Sequence, residues 1–156
     1  MSAYLKQEFD FIERTKTIIE QYDAIKDSKK YEVTLFMNCF IGLLILPQQH
    51  WYDKLPDIGI SEKEWGISPD DISFIKKCEK KDINNISRHL RNSISHYRFT
   101  AFKDDSNNIS KISFHDNNKH DVKTFEATLS VSSLKKFVFR FSELLCDIMK
   151  KEKIEL

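Results

Sequence analysis

The segment of residues 88–97 reads RHLRNSISHY and places an arginine, Arg91, before a histidine, His96, with four residues between them. At about 100° per residue, both side chains fall on the polar side of a helix whose other side is apolar. Arginine keeps its charge and can donate two hydrogen bonds to a phosphate, whereas histidine exchanges protons near neutral pH. The pair could therefore hold a phosphate of RNA and transfer the protons needed for its cleavage.

RNA can be cut without a metal ion because its own 2′-hydroxyl can act as the nucleophile. This reaction needs a base for the 2′-hydroxyl, an acid for the 5′-oxygen and a cation for the phosphorane, and it leaves 2′,3′-cyclic phosphate ends. We expect His96 to transfer protons and Arg91 to clamp the phosphate. Four neighbouring residues are further candidates for RNA contacts: Arg88, Ser95, Tyr97 and Arg98.

Each of these residues also has a structural interpretation. His96 could form a hydrogen bond within a helix interface, and Arg91 could form an ion pair at the surface. His89 lies beside His96 on the helical wheel and is expected in solvent. Leu90, Ile94 and Tyr97 fall on the apolar side and are expected to be buried.

The residues from Arg91 to His96 resemble the Arg-polar-x-x-x-His signature of the HEPN superfamily (higher eukaryote and prokaryote nucleotide-binding). The sequence after the signature, with Arg98-Phe99, a polar hairpin and an aromatic helix near Phe137, is similar to one prokaryotic branch of that superfamily. The similarity covers about residues 30–148. It implies a metal-independent endoribonuclease of a toxin–antitoxin or antiphage system, in which Asn92 orients the phosphate or the imidazole.

The resemblance also implies a homodimer in which two signature helices face each other. One Arg–His pair supplies only part of the chemistry, whereas a two-fold dimer supplies two histidines and two arginines to one cleft. In the HEPN toxins that a nucleotidyltransferase antitoxin controls, one residue separates the histidine from a tyrosine that becomes modified. Here Tyr97 follows His96 directly, so the sequence does not predict control by that route.

Composition predicts one domain over residues 1–156, because the chain has 156 residues of which 40% are apolar. Three glycines and three prolines favour long helices. The apolar run from Val33 to Leu46 is too short to cross a membrane. Three scattered cysteines, without a secretory leader, predict reduced thiols in a cytoplasmic protein. The sequence has neither a zinc motif nor a glycine-rich phosphate loop, so we expect no metal or cofactor.

Charge is unevenly distributed although the net charge is only +1. Residues 76–98 contain seven lysines and arginines against two acids, whereas residues 48–75 contain six acids against two lysines. A basic strip on a neutral protein is typical of phosphate binding, although a solvated helix face would look similar.

Periodicity predicts a mainly all-α protein, a HEPN-like bundle of four to five helices with one β-hairpin between the last two helices. The hairpin is expected from about Ile109 to Leu129. Residues 48–68 are expected to form a partly ordered flap whose three aromatics, Trp51, Tyr52 and Trp65, pin it to the bundle or stack on bases. The helices are expected at about Ala3–Ile25, Lys30–Leu46, Ser68–Lys80, Asp82 or Asn84 to Phe99–Phe102, and Val131–Ser133 to Lys151.

Three functions remain open at this point. The first is a ribonuclease effector that cuts RNA when it is released or triggered. The second is a non-catalytic HEPN module that binds RNA or a nucleotide, or that acts as a partner in a defence complex. The third is a purely structural bundle. Both ends of the signature and its polar neighbour are intact, which favours catalysis.

Overall fold

The computed structural model describes residues 6–26, 31–45, 51–61 and 63–152. The chain divides into two compact units, one of Met1–Lys54 with Val138–Leu156 and the other of Leu55–Phe137, so the division falls within the last helix. Within the described ranges there are four α-helices and four β-strands.

The first unit contains helices α1 (Gln7–Ala24) and α2 (Glu32–Ile45) and most of α4 (Val131–Lys151). The rings of Phe36 and Phe40 stack in α2 with centroids 5.9 Å apart, and both side chains are buried. Helices α1 and α2 approach closely at Gly42, where an added Cβ would lie 2.9 Å from the ring of Phe11. A glycine at this position therefore allows the two helices to pack.

The second unit contains an antiparallel sheet and helix α3 (Ile83–Ser95), which packs against β3. The strand order is β1-β4-β3-β2, with β1 and β2 at the two edges. The strands are β1 (Ile72–Ile75), β2 (Phe99–Lys103), β3 (Ile109–Asn117) and β4 (Lys123–Ser130). Alternate residues of β3 and β4 are buried, so one face of this hairpin belongs to the core.

The predicted helical bundle with a single hairpin is wrong, because the fold is mixed α/β with a four-stranded sheet. The expected hairpin is present as β3 and β4, but it forms the middle of that sheet. The helix expected over Ser68–Lys80 is absent: the Ser68 capping box starts only a 3₁₀ turn, Pro69–Asp71. The next four residues, rich in branched and aromatic side chains, pair with β4 instead.

The signature helix ends at Ser95, earlier than the expected Phe99–Phe102. Its end is a Schellman motif, in which the Tyr97 N–H donates to the Ile94 carbonyl (3.0 Å) and the Arg98 N–H donates to the Ser93 carbonyl (2.6 Å). Tyr97 takes the left-handed conformation that this motif requires, with φ = 55°. The chain therefore turns out of the helix and enters β2. Tyr97 is 82% exposed, so its expected burial is wrong.

The other long elements agree with the sequence. The predictions of α1, α2 and α4 are confirmed, except for Ala3, Lys30 and Leu46, which lie outside the described residues. Leu90 and Ile94 are buried as expected. The three aromatics of the 48–68 segment, Trp51, Tyr52 and Trp65, are also buried, which confirms packing rather than base stacking. Among the described residues, no helix combines the length and apolar character that a membrane crossing requires.

Candidate functional site

Helix α3 begins at a firmly capped residue. The Asp82 carboxylate accepts a hydrogen bond from the Asn85 backbone N–H (2.8 Å) and another from the Asn85 side-chain amide (3.1 Å). The backbone around Asp82 is tied to an earlier segment, since the Ile83 N–H donates to the Ile58 carbonyl (2.9 Å). An aspartate at this position satisfies N–H groups that a helix start leaves without partners. The cap therefore fixes the start of the helix that carries the signature.

The imidazole of His89 lies between two carboxylates. Its Nδ1 is 2.8 Å from Asp116 Oδ2, and its Nε2 is 2.6 Å from Glu79 Oε2. The His89 side chain is only 1% exposed. Each ring nitrogen thus has a carboxylate oxygen as its hydrogen-bond partner. The expectation that His89 lies in solvent is therefore wrong.

The imidazole of His89 packs against the sheet. Asp116 of β3 is paired across the sheet with Phe125 of β4. His89 bonds to the first of these residues and stacks on the ring of the second, with centroids 4.8 Å apart. Asp116 continues the buried alternation of Ile112 and Phe114, and this places its carboxylate under α3.

Asn92 links the buried pair to the signature arginine. Its amide nitrogen donates to Asp116 Oδ2 (2.9 Å), the same oxygen that faces His89. Its amide oxygen accepts hydrogen bonds from Arg91 Nε (3.0 Å) and Nη2 (2.5 Å). The guanidinium of Arg91 is thereby connected, through one side chain, to a buried carboxylate.

Two more arginines flank this arrangement. Arg88 Nη2 lies 3.2 Å from Glu79 Oε1, and Arg98 Nη1 lies 3.5 Å from Asp116 Oδ1. We call the connected side chains the polar cluster; it consists of Glu79, Arg88, His89, Arg91, Asn92, Arg98 and Asp116. Three guanidinium groups face two carboxylates, so the cluster carries excess positive charge even before His89 is counted. Such a cluster favours anions.

The carboxylates of the polar cluster stay ionised. Burial raises the pKa of Asp116, but its hydrogen bonds with His89 and Asn92 and the charge of His89 outweigh burial, and the pKa is lowered. Burial likewise opposes ionisation of Glu79, yet the bond to His89 and the charges of His89 and Arg88 lower its pKa. Both acids therefore act as fixed negative partners at neutral pH.

His96 lies apart from the polar cluster, at the C-cap of α3, where its backbone N–H donates to the Asn92 carbonyl (3.0 Å). Its side chain is exposed and forms no hydrogen bond with the residues that the structure describes. Ser95 and Tyr97 on either side are also exposed, and the Tyr97 ring packs edge-on against Phe99. His96 is available to a ligand, about 7.5 Å along the helix axis from Arg91.

A cavity of 510 Å³ lies elsewhere in the second unit, where Ser61 and residues 66–69 line it together with the start of α4. Ser68, Ser132 and Lys136 are among its lining residues. The lining includes neither a residue of the signature nor one of the polar cluster. The cavity is therefore separate from the candidate site on α3.

The family model described as HEPN pEK499 p136 matches residues 1–152. The chain belongs to this HEPN family. Neither a curated protein nor a solved structure gives a significant match. Membership indicates a nucleotide- or RNA-related function, and HEPN domains are often ribonucleases.

The structure distributes the HEPN signature between two environments. It brings Arg91 and Asn92 into the polar cluster together with Arg88 and Arg98, and it leaves His96, with Ser95 and Tyr97, at the exposed helix end. In the described part of the chain, no group of three or more histidines, cysteines or acids could hold a metal ion.

Sequence reasoning missed three members of the polar cluster: Glu79, His89 and Asp116. The strongest signal was at Asp116, which continues the period-two pattern of Ile112 and Phe114 into a buried position. A carboxylate in a buried position needs a partner, and a histidine of the adjoining helix is a natural one. The helical wheel alone placed His89 beside His96 and in solvent, because it took no account of a sheet beneath α3.

Proposed function

We propose that this HEPN protein is a metal-independent endoribonuclease that uses Arg91 and His96. One observation carries the proposal: α3 holds the Arg91 guanidinium in a hydrogen-bonded orientation and presents the exposed imidazole of His96 at its end. The excess positive charge of the polar cluster supports the binding of a phosphate beside them. The surrounding residues Arg88, Ser95, Tyr97 and Arg98 are the proposed RNA contacts.

In the proposed mechanism, the 2′-hydroxyl of RNA attacks the adjacent phosphorus. His96 accepts the proton that the 2′-hydroxyl loses in this step, and Arg91 stabilises the charge that accumulates on the phosphorane oxygens. Asn92 keeps the guanidinium oriented. The His96 imidazolium of a second copy of the chain donates a proton to the leaving 5′-oxygen, so the products carry 2′,3′-cyclic phosphate and 5′-hydroxyl ends.

A homodimer through α3 forms part of the proposal, because one helix offers a single signature histidine for a reaction with two proton transfers. A Ser95→Cys substitution, made with Cys78→Ser to remove an exposed native thiol, should cross-link two copies under oxidation. The matched control is Ser106→Cys, which lies in the exposed turn between β2 and β3. Cross-linking of the control alone, in a protein that is dimeric by light scattering, would place the interface elsewhere.

The decisive experiment incubates the purified protein with total cellular RNA in EDTA and analyses the ends of the products. Arg91→Ala and His96→Ala should each abolish cleavage while leaving the thermal unfolding transition in place. Arg140→Ala and His120→Ala are matched controls, since both remove an exposed side chain away from the signature. Cleavage that requires an added divalent ion would contradict the proposal, as would a His96→Ala protein of unchanged activity.

The two losses should differ in kind. Removing the Arg91 guanidinium should weaken RNA binding and lower the slope of its salt dependence by about one, because one phosphate contact disappears. Removing the His96 imidazole should leave binding nearly unchanged. RNA that is bound but never cut would instead favour a non-catalytic HEPN module acting within a defence complex.

The proposed cellular role is that of a toxin or antiphage effector. Overexpression should then arrest growth, and Arg91→Ala or His96→Ala should relieve the arrest at equal protein levels. An antitoxin or another defence protein is the proposed partner that keeps the activity in check. Growth that is unaffected by high expression of the active protein would argue against this role.

A further inference from the structure

We propose that Asp116 is a positioning residue for Arg91 and that it acts through Asn92. This inference deepens the proposed function, since it rests on Arg91 being the phosphate clamp. Asp116 lies on β3, 25 residues after Arg91 and outside the signature. It would couple the sheet to the orientation of a guanidinium on the surface of α3.

The direction of the Asn92 amide is the first step of the argument. Asp116 Oδ2 accepts a hydrogen bond from the Asn92 amide nitrogen, so the nitrogen side of the amide must face the sheet. The amide oxygen then faces away from it, toward Arg91, and accepts from both Nε and Nη2. An amide turned by 180° would present donors to donors. The carboxylate therefore selects the one orientation that can hold the arginine.

The rigidity of Asp116 is the second step. Its side chain is only 4% exposed, and its Oδ1 accepts a hydrogen bond from the Asn117 backbone N–H (2.9 Å). Its backbone carbonyl accepts from the Thr124 hydroxyl (3.1 Å). His89, itself buried on Phe125, bonds to Oδ2. The carboxylate that aims Asn92 is thus fixed from several directions.

If these contacts only stabilised the fold, Asp116→Asn would lower stability but would leave kcat/KM of the folded protein unchanged. Asp116→Asn keeps the size of the side chain but cannot accept at every oxygen position that Asp116 uses. If Asp116 positions Arg91, this change should lower kcat/KM for RNA by about 100-fold, since displaced catalytic groups lose activity on that order. Asp105→Asn, an exposed carboxylate in the turn between β2 and β3, is the matched control and should leave kcat/KM unchanged.

Binding measurements test whether Asp116 acts through Arg91. In a His96→Ala background, which prevents cleavage, the affinity for a single-stranded RNA oligonucleotide of mixed sequence should fall with Asp116→Asn. In the same background, a protein with both Asp116→Asn and Arg91→Ala should bind this RNA as strongly as a protein with Arg91→Ala alone. Losses that multiply would show that Asp116 acts independently of the arginine, and the inference would fail.

A measurement without RNA separates this inference from the proposed function. In a ¹⁵N NMR spectrum, the Nε–H of Arg91 should be protected from exchange with water, and Asp116→Asn should remove that protection. Asn92→Ala, which leaves the Asp116–His89 pair intact, should also remove it and serves if Asp116→Asn fails to fold. Protection unchanged in folded variants would overturn the inference. If the wild-type protein never cuts RNA but both variants lose the protection of the Arg91 Nε–H, only the proposed function would be overturned.

Discussion

The imidazole of His89 lies parallel to the phenyl ring of Phe125, with ring centroids 4.8 Å apart and an interplanar angle of 2°. The two ring faces belong to different elements, α3 and β4, and the edges of the imidazole meet carboxylates of Glu79 and Asp116. An ionisable side chain is thus part of the contact between helix and sheet. The same contact therefore contributes to the stability of the fold and belongs to the candidate site.

His89→Ala should lower the free energy of unfolding by about 3 kcal/mol, because it leaves two carboxylates without their common partner and removes a stacked ring. The change is measured by urea unfolding at neutral pH. His120→Ala, in the exposed turn between β3 and β4, should change stability by no more than about 0.5 kcal/mol. A loss of similar size in both variants would mean that the buried network adds nothing to stability.

Acid should destabilise the protein through Asp116 and Glu79. Their pKa values are lowered from 3.8 and 4.5 in the folded state, so their stabilising contribution is complete only above about pH 5. It is lost as the pH falls through the lowered values. Asp116→Asn should therefore flatten the fall of the urea midpoint between about pH 5 and pH 2. A slope equal to that of Asp105→Asn would contradict this assignment.

Tyr97→Gly should leave stability within about 1 kcal/mol of the parent, because relief of the left-handed backbone offsets the lost contact with Phe99. The same change should weaken the binding of single-stranded RNA by about 1–3 kcal/mol if the exposed ring stacks on a base. Tyr97→Phe keeps the ring and should bind like the parent. Equal binding by the glycine variant would remove Tyr97 from the proposed RNA contacts.

Phe40→Ala should cost about 3–5 kcal/mol, since the side chain is completely buried in α2 and its removal leaves a cavity. The loss is read from the denaturant midpoint at constant slope. Ile18→Ala, at an exposed apolar position of α1, provides the comparison and should have a small effect. A loss below about 1 kcal/mol at Phe40 would exclude this ring from the core.

The long elements could be predicted because their patterns are local. Helix α4 repeats apolar residues at three- and four-residue steps, and the hairpin alternates around a polar turn. Strand β1 could not be predicted in this way: a good helix cap precedes it, and its four residues become a strand only by pairing with β4, about fifty residues later. Strand β2 could not be predicted for a similar reason: the helical pattern before it does not indicate the Schellman motif at Tyr97, which ends the helix.

The candidate site was predicted in part. Arg91, Asn92 and His96 follow from a short pattern on one helix, and the helix is present. Their surroundings depend on partners that are distant in the sequence: His89 and Asp116 are 27 residues apart, and the sheet register brings them together. A helical wheel assigns burial from one element alone. It could not show that a sheet covers the side of α3 where His89 lies.

The strand order β1-β4-β3-β2 also sets an order of events during synthesis. A ribosome synthesises β1, α3 and β2 before the two central strands. Neither edge strand can therefore pair until the hairpin of β3 and β4 has been made. A nascent chain that already carries the whole signature, from Arg91 to His96, still lacks the carboxylate that orients Asn92. The hydrogen bond by which Asp116 orients Asn92 can therefore form only after β3 has been synthesised.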